Sequence, residues 1–452
     1  MDLRLSNIFI LLFGAVFFTG CVALTGHREL LVEFDKTLNS GSCDYSFIDK
    51  KIEDKDDLIL WASQGGSFSR NCYDYNKSNN LFDLAEGLYK SDVDLQSTAE
   101  KVGNSTNSIL VNNNINSYQG SMYEKIMLNI YKGLNFMALD NFEDARVEFN
   151  RAIDRQRRAK EYFSNEITQL KSKQRANQNY QVAQNRYTQK AIYDSYRELF
   201  NSYKAYPDFV NPFTTYMSGL FFLFDGDYNK AKDLLRDAMS MEPNNTQIEE
   251  DFKLADKLSG FEKRKTHYAW VIYENGKSMV KIEKNINIPL FIFTNKVYYA
   301  GLSLPTLSPR SSSYNYIEVE NKKSKIVANM DNIIEAEFEK RFPQIAFEAT
   351  LNLIMKTYTQ YELNRSGGAI GGLVGAIYQG LTNRADVRSW TALPKNFQVV
   401  RVELKTNNVI IKDDKNRVLS TVMVDRNKDA LIYIKSSKRG VIRVHRTIKG
   451  KR

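Results

Sequence analysis

Histidine and cysteine are scarce in this chain, and their scarcity argues against metal sites and against catalysis that depends on these residues. The 452 residues include three histidines and three cysteines. His27, His267 and His445 lie far apart along the chain, so the sequence predicts no zinc or other metal site. It also lacks a Gly-x-Ser-x-Gly nucleophile elbow and a His-Glu-x-x-His helix. We therefore expect a protein that is not an enzyme and that needs no cofactor.

Long apolar runs are also missing, and the run near the start is too short to span a membrane comfortably. Ile8–Phe18 follows Arg4 and precedes Thr19-Gly20-Cys21, which is the layout of a signal peptide for export. The segment 18–21 resembles the lipobox of bacterial lipoproteins, although Phe18 replaces the aliphatic residue that is usual there. The alternative is an uncleaved signal anchor in which Cys21 has no special role.

The resemblance to a lipobox predicts a signal peptide at residues 1–20 and lipid attachment at Cys21. Val22, rather than Asp, follows the cysteine, and this favours the outer membrane by the sorting rule of enteric bacteria. We expect a lipid-anchored, mostly periplasmic protein in the outer membrane.

The formal net charge of +10 would suggest nucleic acid as a partner of a cytosolic protein, but export excludes that partner. Other envelope proteins, peptidoglycan and lipopolysaccharide are the expected partners instead. A basic tail at the C-terminus would contact anionic lipopolysaccharide or wall polymer. From Lys435 onward the tail contains no acidic residue. Its cations after Lys435 are Lys438, Arg439, Arg443, Arg446, Lys449, Lys451 and Arg452.

Cys43 and Cys72 are the two remaining cysteines, and an even pair in an oxidising compartment is typical of a disulfide. Each lies shortly before an Asp-Tyr pair, at equivalent turns of neighbouring helical hairpins. Two free, partly buried thiols are the alternative.

Residues 21–260 have helical periodicity with weak internal repeats, typical of a tetratricopeptide-like solenoid. Small and aromatic residues recur at the spacings of that repeat. The first copy contains Gly133, Phe136, Ala145 and Phe149; the second contains Gly219, Phe222, Tyr228, Ala231 and Ala238; a degenerate third contains Gly66, Tyr75 and Phe82. Between the two clear copies, residues 155–206 predict inserted long helices, with either a solvated or a partner-binding polar face.

The hydrophobic period changes after residue 260, and residues 261–452 predict an α+β domain with antiparallel strands. Short β-branched or aromatic runs begin at Tyr268, Val280, Pro289 and Tyr298 and resume after Arg401. Between them, Met330 to Leu363 predicts a helical segment that packs against the strands.

The glycine-rich segment 367–380 repeats glycine every four residues and would allow close helix contact. Tight internal packing or a hinge is favoured over oligomerisation or membrane contact. Next come Arg384, Asp386, Arg388 and Trp390, which form either a structural ion-pair cluster or a clamp for an acidic or carbohydrate ligand.

These features together resemble a family of largely uncharacterised Gram-negative outer-membrane lipoproteins with tetratricopeptide-like repeats. The matching stretches are 123–128, 145–152, 154–159, 274–276, 337–339, 385–390 and Leu393-Pro394. The resemblance implies a scaffold that presents a concave repeat surface to other envelope proteins in cell-wall assembly, and it carries no catalytic residues. The alternatives are a self-assembling subunit of a secretion system or flagellar motor, and a peptidoglycan- or glycan-binding protein that uses Arg384, Arg388 and Trp390.

Overall fold

The structure is a computed structural model that describes most of the chain between residues 27 and 450. The signal peptide 1–20, Cys21 and the glycine-rich segment 367–380 lie outside the described residues. The described ranges are 27–89, 118–175, 183–207, 209–260, 262, 266–290, 298–354 and 384–450.

Helices make up the described part of the chain before residue 260. They are α1 His27–Asn39, α2 Ser46–Asp54, α3 Leu58–Asn71, α4 Tyr75–Tyr89, α5 Met122–Ala138, α6 Phe142–Arg175, α7 Arg186–Ser202, α8 Pro212–Asp225, α9 Tyr228–Met241 and α10 Thr246–Ser259. Local signals define their ends. In α8, Asn211 caps the Thr214 amide, Pro212 occupies the first turn, and Gly226 ends the helix with a φ of 87° that favours glycine.

Three helical hairpins, α3–α4, α5–α6 and α8–α9, pack on glycines. A Cβ added at Gly133 would lie 2.8 Å from Phe149, and one at Gly219 would lie 2.9 Å from Leu235. A Cβ at Gly66 would collide with the ring of Phe82 in the same way. The remaining predicted packing residues are also in the core: Ala145, Phe222, Ala231 and Ala238 are buried, and Phe136 and Tyr228 are partly buried against it. Small residues therefore set the distance between the paired helices.

The long helices predicted at 155–206 are present in the described residues, but the first one is not a separate insertion. It continues the second helix of a hairpin, because α6 runs without a break for 34 residues. α7 follows and packs against a β-hairpin of the C-terminal part.

Strands dominate after residue 266. They are β1 Tyr268–Asn275, β2 Val280–Leu290, β3 Tyr298–Ser308, β4 Glu318–Val319, β5 Lys322–Lys323, β6 Lys325–Asn329, β7 Asn396–Glu403, β8 Asn408–Lys412, β9 Val418–Met423, β10 Ala430–Lys438, β11 Val441–Val444 and β12 Ile448–Lys449. A helix at 330–354, here α11, separates β6 from β7. The α+β class predicted from the sequence is confirmed.

The central sheet has the strand order β11-β10-β1-β7-β6, with β12 also paired to β10. β1 runs antiparallel to β7 but parallel to β10, so the prediction of antiparallel strands is wrong for this pair. Parallel neighbours need a long crossover connection, and the chain between β1 and β10 supplies one. A smaller sheet, β5-β4-β8-β9, packs on one face of the central sheet through a separate apolar cluster.

Val280 and Pro289-Leu290 belong to one strand, β2, where the sequence predicted two. Its hairpin with β3 tolerates Pro289 and Pro305 because each strand has a free edge in this two-stranded sheet. The carbonyls of both prolines accept hydrogen bonds from α7, at 2.6 Å from Thr188 and 3.0 Å from Tyr196.

One apolar core joins the helices to the central sheet. Phe213 of α8 stacks on Phe397 of β7 with ring centroids 3.6 Å apart, and Phe224 meets Trp270 of β1 at 5.3 Å. The inner helices α3, α5 and α8 are consequently buried over almost their whole length. The C-terminal part of the chain therefore covers much of the surface of these three helices.

Cys43 and Cys72 form a disulfide, with their Cα atoms 5.7 Å apart. It ties the segment before α2 to the end of α3. The bridged alternative predicted from the sequence is the one that the structure adopts.

A Cys43→Ser, Cys72→Ser double variant should lower the free energy of unfolding. The bridge closes a loop with a sequence separation of 29, and closure entropy for such a loop is worth about 3–4 kcal/mol. Urea unfolding followed by circular dichroism would measure the change. As a control, dithiothreitol should shift the wild type and leave the variant unaffected; equal midpoints of the two oxidised proteins would contradict the prediction.

Candidate functional site: the strap at residues 384–395

An irregular segment, residues 384–395, runs between the helical hairpins and the central sheet and leads into β7; we call it the strap. It contains no helix or strand, yet residues 388–394 are buried. Backbone N–H and C=O groups buried outside regular structure need partners from elsewhere in the protein. Side chains from several distant elements provide them.

Gln64 of α3 forms hydrogen bonds with the strap through both the nitrogen and the oxygen of its side-chain amide. Its Nε2 donates to the Ser389 carbonyl at 3.4 Å and to the Thr391 hydroxyl at 2.9 Å. Its Oε1 accepts from the Ala392 amide at 3.2 Å. One side chain therefore contacts the strap at three positions, residues 389, 391 and 392.

Glu124 of α5 connects the strap to a helix terminus. One carboxylate oxygen accepts from the Ser121 amide at 2.9 Å, which is part of the capping box of α5. The other accepts from the Trp390 amide at 2.8 Å. The residue that caps the helix thus also fixes the centre of the strap.

The opposite side of the strap is held by two cations. Arg310 donates to the Thr391 carbonyl at 2.5 Å and pairs with Asp35 at 2.9 Å. Lys435 of β10 donates to the Ala392 carbonyl at 3.0 Å. Charge-assisted donors of this kind make stronger hydrogen bonds than neutral ones.

The Trp390 side chain attaches the strap to the helical part of the protein by packing between its helices. Its indole is 2% exposed and lies against Phe82 and Tyr131, with centroid distances of 5.6 and 5.8 Å. The indole N–H donates to Ser67 Oγ at 2.9 Å. A sugar ring has no access to this indole, so the structure gives Trp390 a packing role instead of the stacking role in the glycan alternative.

Arg388 and Asp386 form the ion pair that the sequence allowed. The guanidinium contacts Asp386 at 2.8 Å and Asp57 at 2.5 Å, and Asp57 in turn lies 3.2 Å from His27. Burial alone would raise the pKa of the Asp386 carboxyl, but Arg388 outweighs burial and lowers it. Arg384 stays half exposed, 3.9 Å from Glu283, so it does not join this cluster.

A second buried cluster lies where α4, α5 and α6 meet. Lys132 is 1% exposed and contacts Glu86 at 2.7 Å, Glu148 at 3.0 Å and Asp83 at 2.6 Å. Arg155 adds a contact to Glu86 at 2.9 Å. Burial disfavours the Glu86 carboxylate, but Arg155 and Lys132 more than compensate and lower its pKa to about 2.

Glu86 should make the protein lose stability in acid. Its pKa in the folded state lies below its ordinary value of 4.5, so its contribution is complete above that pH and disappears as pH falls towards 2. In Glu86→Gln, the decline in unfolding free energy over this range should be smaller by about 3 kcal/mol. Urea unfolding at a series of pH values would measure it. Asp154→Asn, at an exposed position, should leave the decline unchanged; identical profiles for wild type and Glu86→Gln would contradict the prediction.

Several cations of the basic tail have partners inside the protein. Lys435 lies 3.0 Å from Glu274, Arg439 lies 2.9 Å from Asp414, and Arg446 lies 2.6 Å from Asp140. The described tail residues belong largely to β10, β11 and β12 and the turns between them. Contact with lipopolysaccharide stays a prediction.

Sequence reasoning missed the residues that hold the strap, namely Gln64, Glu124 and Arg310. Only Glu124 carried a readable signal, because Ser121 and Glu124 have the spacing of a capping box. Nothing in the local sequence shows that a glutamine in an apolar helix binds a segment more than 300 residues away, as the separation of 327 between Gln64 and Thr391 requires.

No protein-family model, curated protein or solved structure matches this chain. Within the described ranges, no helix combines the length and apolar character needed to cross a membrane. The same residues contain no group of three or more side chains placed to hold a metal ion.

Proposed function

We propose that this protein is a lipid-anchored periplasmic scaffold that binds other cell-envelope proteins through tetratricopeptide-like helical hairpins. The observation that carries the proposal is the packing of three successive hairpins on glycines, Gly66, Gly133 and Gly219, each facing a large side chain of its partner helix. Stacked hairpins of this kind form extended binding surfaces in repeat proteins. The disulfide between Cys43 and Cys72 supports an oxidising compartment.

The outer helices offer the accessible surface for such a partner, because the inner helices are covered. Val147 of α6 is 44% exposed and Tyr187 of α7 is 54% exposed. We therefore place the partner-binding face on the outer side of α6 and α7. Cell-wall assembly is the process that we propose for the complex.

Anchoring through Cys21 predicts an all-or-none result. Cys21→Ser removes the thiol that would accept the lipid, so the variant should lose both palmitate labelling and membrane association. Fractionation of cells grown with labelled palmitate would measure both. The Cys43→Ser, Cys72→Ser variant is the matched control and should remain labelled. A Cys21→Ser variant that still carries label would rule out this anchor.

In-cell crosslinking tests the scaffold role. A photo-crosslinking residue placed at Val147 or Tyr187 should give discrete adducts with another envelope protein, while the same residue at Met423, on the small sheet, should not. Identification of the adducts by mass spectrometry names the partner. Failure of both helical positions to give an adduct would overturn the proposed binding face.

A further inference from the structure

Strand β9 lies at the end of the small sheet, and its outer edge has no strand partner among the described residues. The strand order is β5-β4-β8-β9, and the ladder with β8 is regular from Ser420 to Met423. The Val424 amide donates to the Asn407 carbonyl at 2.8 Å, on the side of β8. Backbone groups alternate between the two edges of an antiparallel strand, so the amides and carbonyls of Thr421 and Met423 point away from β8. The outer edge of β9 therefore offers these groups to a further strand.

Most other edges of the described sheets are protected against such pairing, whereas the edge of β9 is not. β5 consists of two lysines, and β2 and β3 contain Pro289 and Pro305. β6 is tied to the start of α10, because Asn245 donates to the Ile326 carbonyl at 2.7 Å. Lysine, proline and covering elements are the usual protection against edge-to-edge pairing. β9 has the sequence VLSTVM, without charge or proline, and its Met423 side chain is 79% exposed.

The sequence around β9 is complementary to a second copy of itself in one antiparallel register. In this register Thr421 lies opposite Thr421 of the second copy, and uncharged residues face each other from 418 to 424. Arg417 then lies opposite Asp425 of the second copy, and two-fold symmetry forms this ion pair twice. A shift of the register by two residues in either direction separates Arg417 from Asp425 and loses both pairs. Charge complementarity therefore favours a second copy as the occupant of this edge, in this register.

The surface beside Asp425 has room for the arginine of a second copy. A cleft of about 370 Å³ lies at the end of β9, and its lining includes Asp425, Lys428 and Asp429. The Arg417 side chain is 61% exposed, and one side of its guanidinium pairs with Asp413 at 2.7 Å. A guanidinium has five N–H donors, so Arg417 can bind a second carboxylate without giving up the first.

We infer that this chain forms a two-fold dimer through β9, in which the two small sheets join into one continuous sheet. Thr421 lies at the two-fold axis, and the ion pairs between Arg417 and Asp425 lie at either end of the paired strands. One pair of short strands buries little surface, so the dimer should dissociate on dilution. The inference goes beyond the proposed scaffold function, because each dimer would present two partner-binding faces.

Cysteine substitution tests the register. The protein is the detergent-purified Cys21→Ser full chain, in which the two remaining cysteines are bridged. Thr421→Cys places two thiols across the axis, on Cα atoms about 5.5 Å apart, and a disulfide can span that distance. Mild oxidation should therefore convert most of this variant into a covalent dimer on a non-reducing gel. Val418→Cys and Met423→Cys are the matched controls and should stay monomeric, because each faces a different residue of the second copy.

The controls separate pairing from random collision, since the side chains at 418 and 423 are 61% and 79% exposed. A Thr421→Cys protein that stays monomeric would overturn the inference. Equal crosslinking of Met423→Cys and Thr421→Cys would overturn it as well.

Sedimentation equilibrium in density-matched detergent tests the association itself. The Cys21→Ser chain should show a monomer–dimer equilibrium, and Thr421→Lys should raise its dissociation constant at least about tenfold, because two ammonium groups then face each other. Val147→Lys, on α6, should leave the constant unchanged. A Cys21→Ser chain that is monomeric at every concentration, or a folded Thr421→Lys protein that associates equally well, would contradict the inference. A crosslinked adduct at Met423 would have twice the mass of the chain, which distinguishes it from an adduct with another protein.

Discussion

Lys132→Met should destabilise the protein by about 3–5 kcal/mol, because it removes the one cation that pairs with two buried carboxylates at once and leaves their charge only partly balanced. Glu86 and Glu148 are 3% and 4% exposed and both lie within 3.0 Å of the Lys132 ammonium. Methionine fills much of the space of the lysine chain, so the loss measures charge and not a cavity. Urea unfolding of the purified chain at neutral pH would give the difference in unfolding free energy.

Two further variants test whether the loss of stability depends on the burial of the charges. Lys190→Met removes a cation from an exposed pair with Asp194 and should cost at most about 1 kcal/mol. Adding Glu86→Gln and Glu148→Gln to Lys132→Met removes the carboxylate charges that Lys132 balances and should restore much of the loss. If Lys132→Met proves as stable as Lys190→Met, the cluster does not have the buried geometry described above.

Trp390→Ala should cost about 3–5 kcal/mol, comparable to other large-to-small changes in a packed core. The substitution removes the ring contacts with Phe82 and Tyr131 and the hydrogen bond to Ser67. Since the strap connects the helices to the central sheet, both should unfold at lower urea concentration in one transition. Far-UV circular dichroism, which does not depend on the indole, would record it.

Trp390→Phe is the matched control, because it keeps an aromatic ring in the pocket and removes the donor to Ser67. Its loss should be about 1–2 kcal/mol, the size of a single buried hydrogen bond together with modest repacking. A loss below about 1 kcal/mol in Trp390→Ala would mean that the pocket does not hold the indole in solution.

The ion-pair cluster of Arg388 shows which contacts of the candidate site could be predicted from the sequence and which could not. Its spacing allowed Arg388 to pair with Asp386, and this pair is present. The second partner of Arg388, Asp57, has a sequence separation of 331 and could not be read from the pattern. Trp390 is buried because residues of α3, α4 and α5 surround it, and this burial decides that it packs in the core and does not stack on a ligand. Residues so far away in the sequence could not be inferred from the pattern around Trp390.

The sequence by itself determined the helical and strand regions, the glycines that pack the hairpins and the availability of two cysteines for a bridge. Each of these depends on hydrophobic period, residue size or composition, which are local properties of the chain. The tertiary structure alone decided that β1 pairs in parallel with β10, and that α3 and α5 hold the strap. Those contacts join residues far apart in the sequence, such as Glu124 and Trp390 with a separation of 266. They are selected by how much apolar surface the whole chain buries and by the need of its buried polar groups for hydrogen-bond partners.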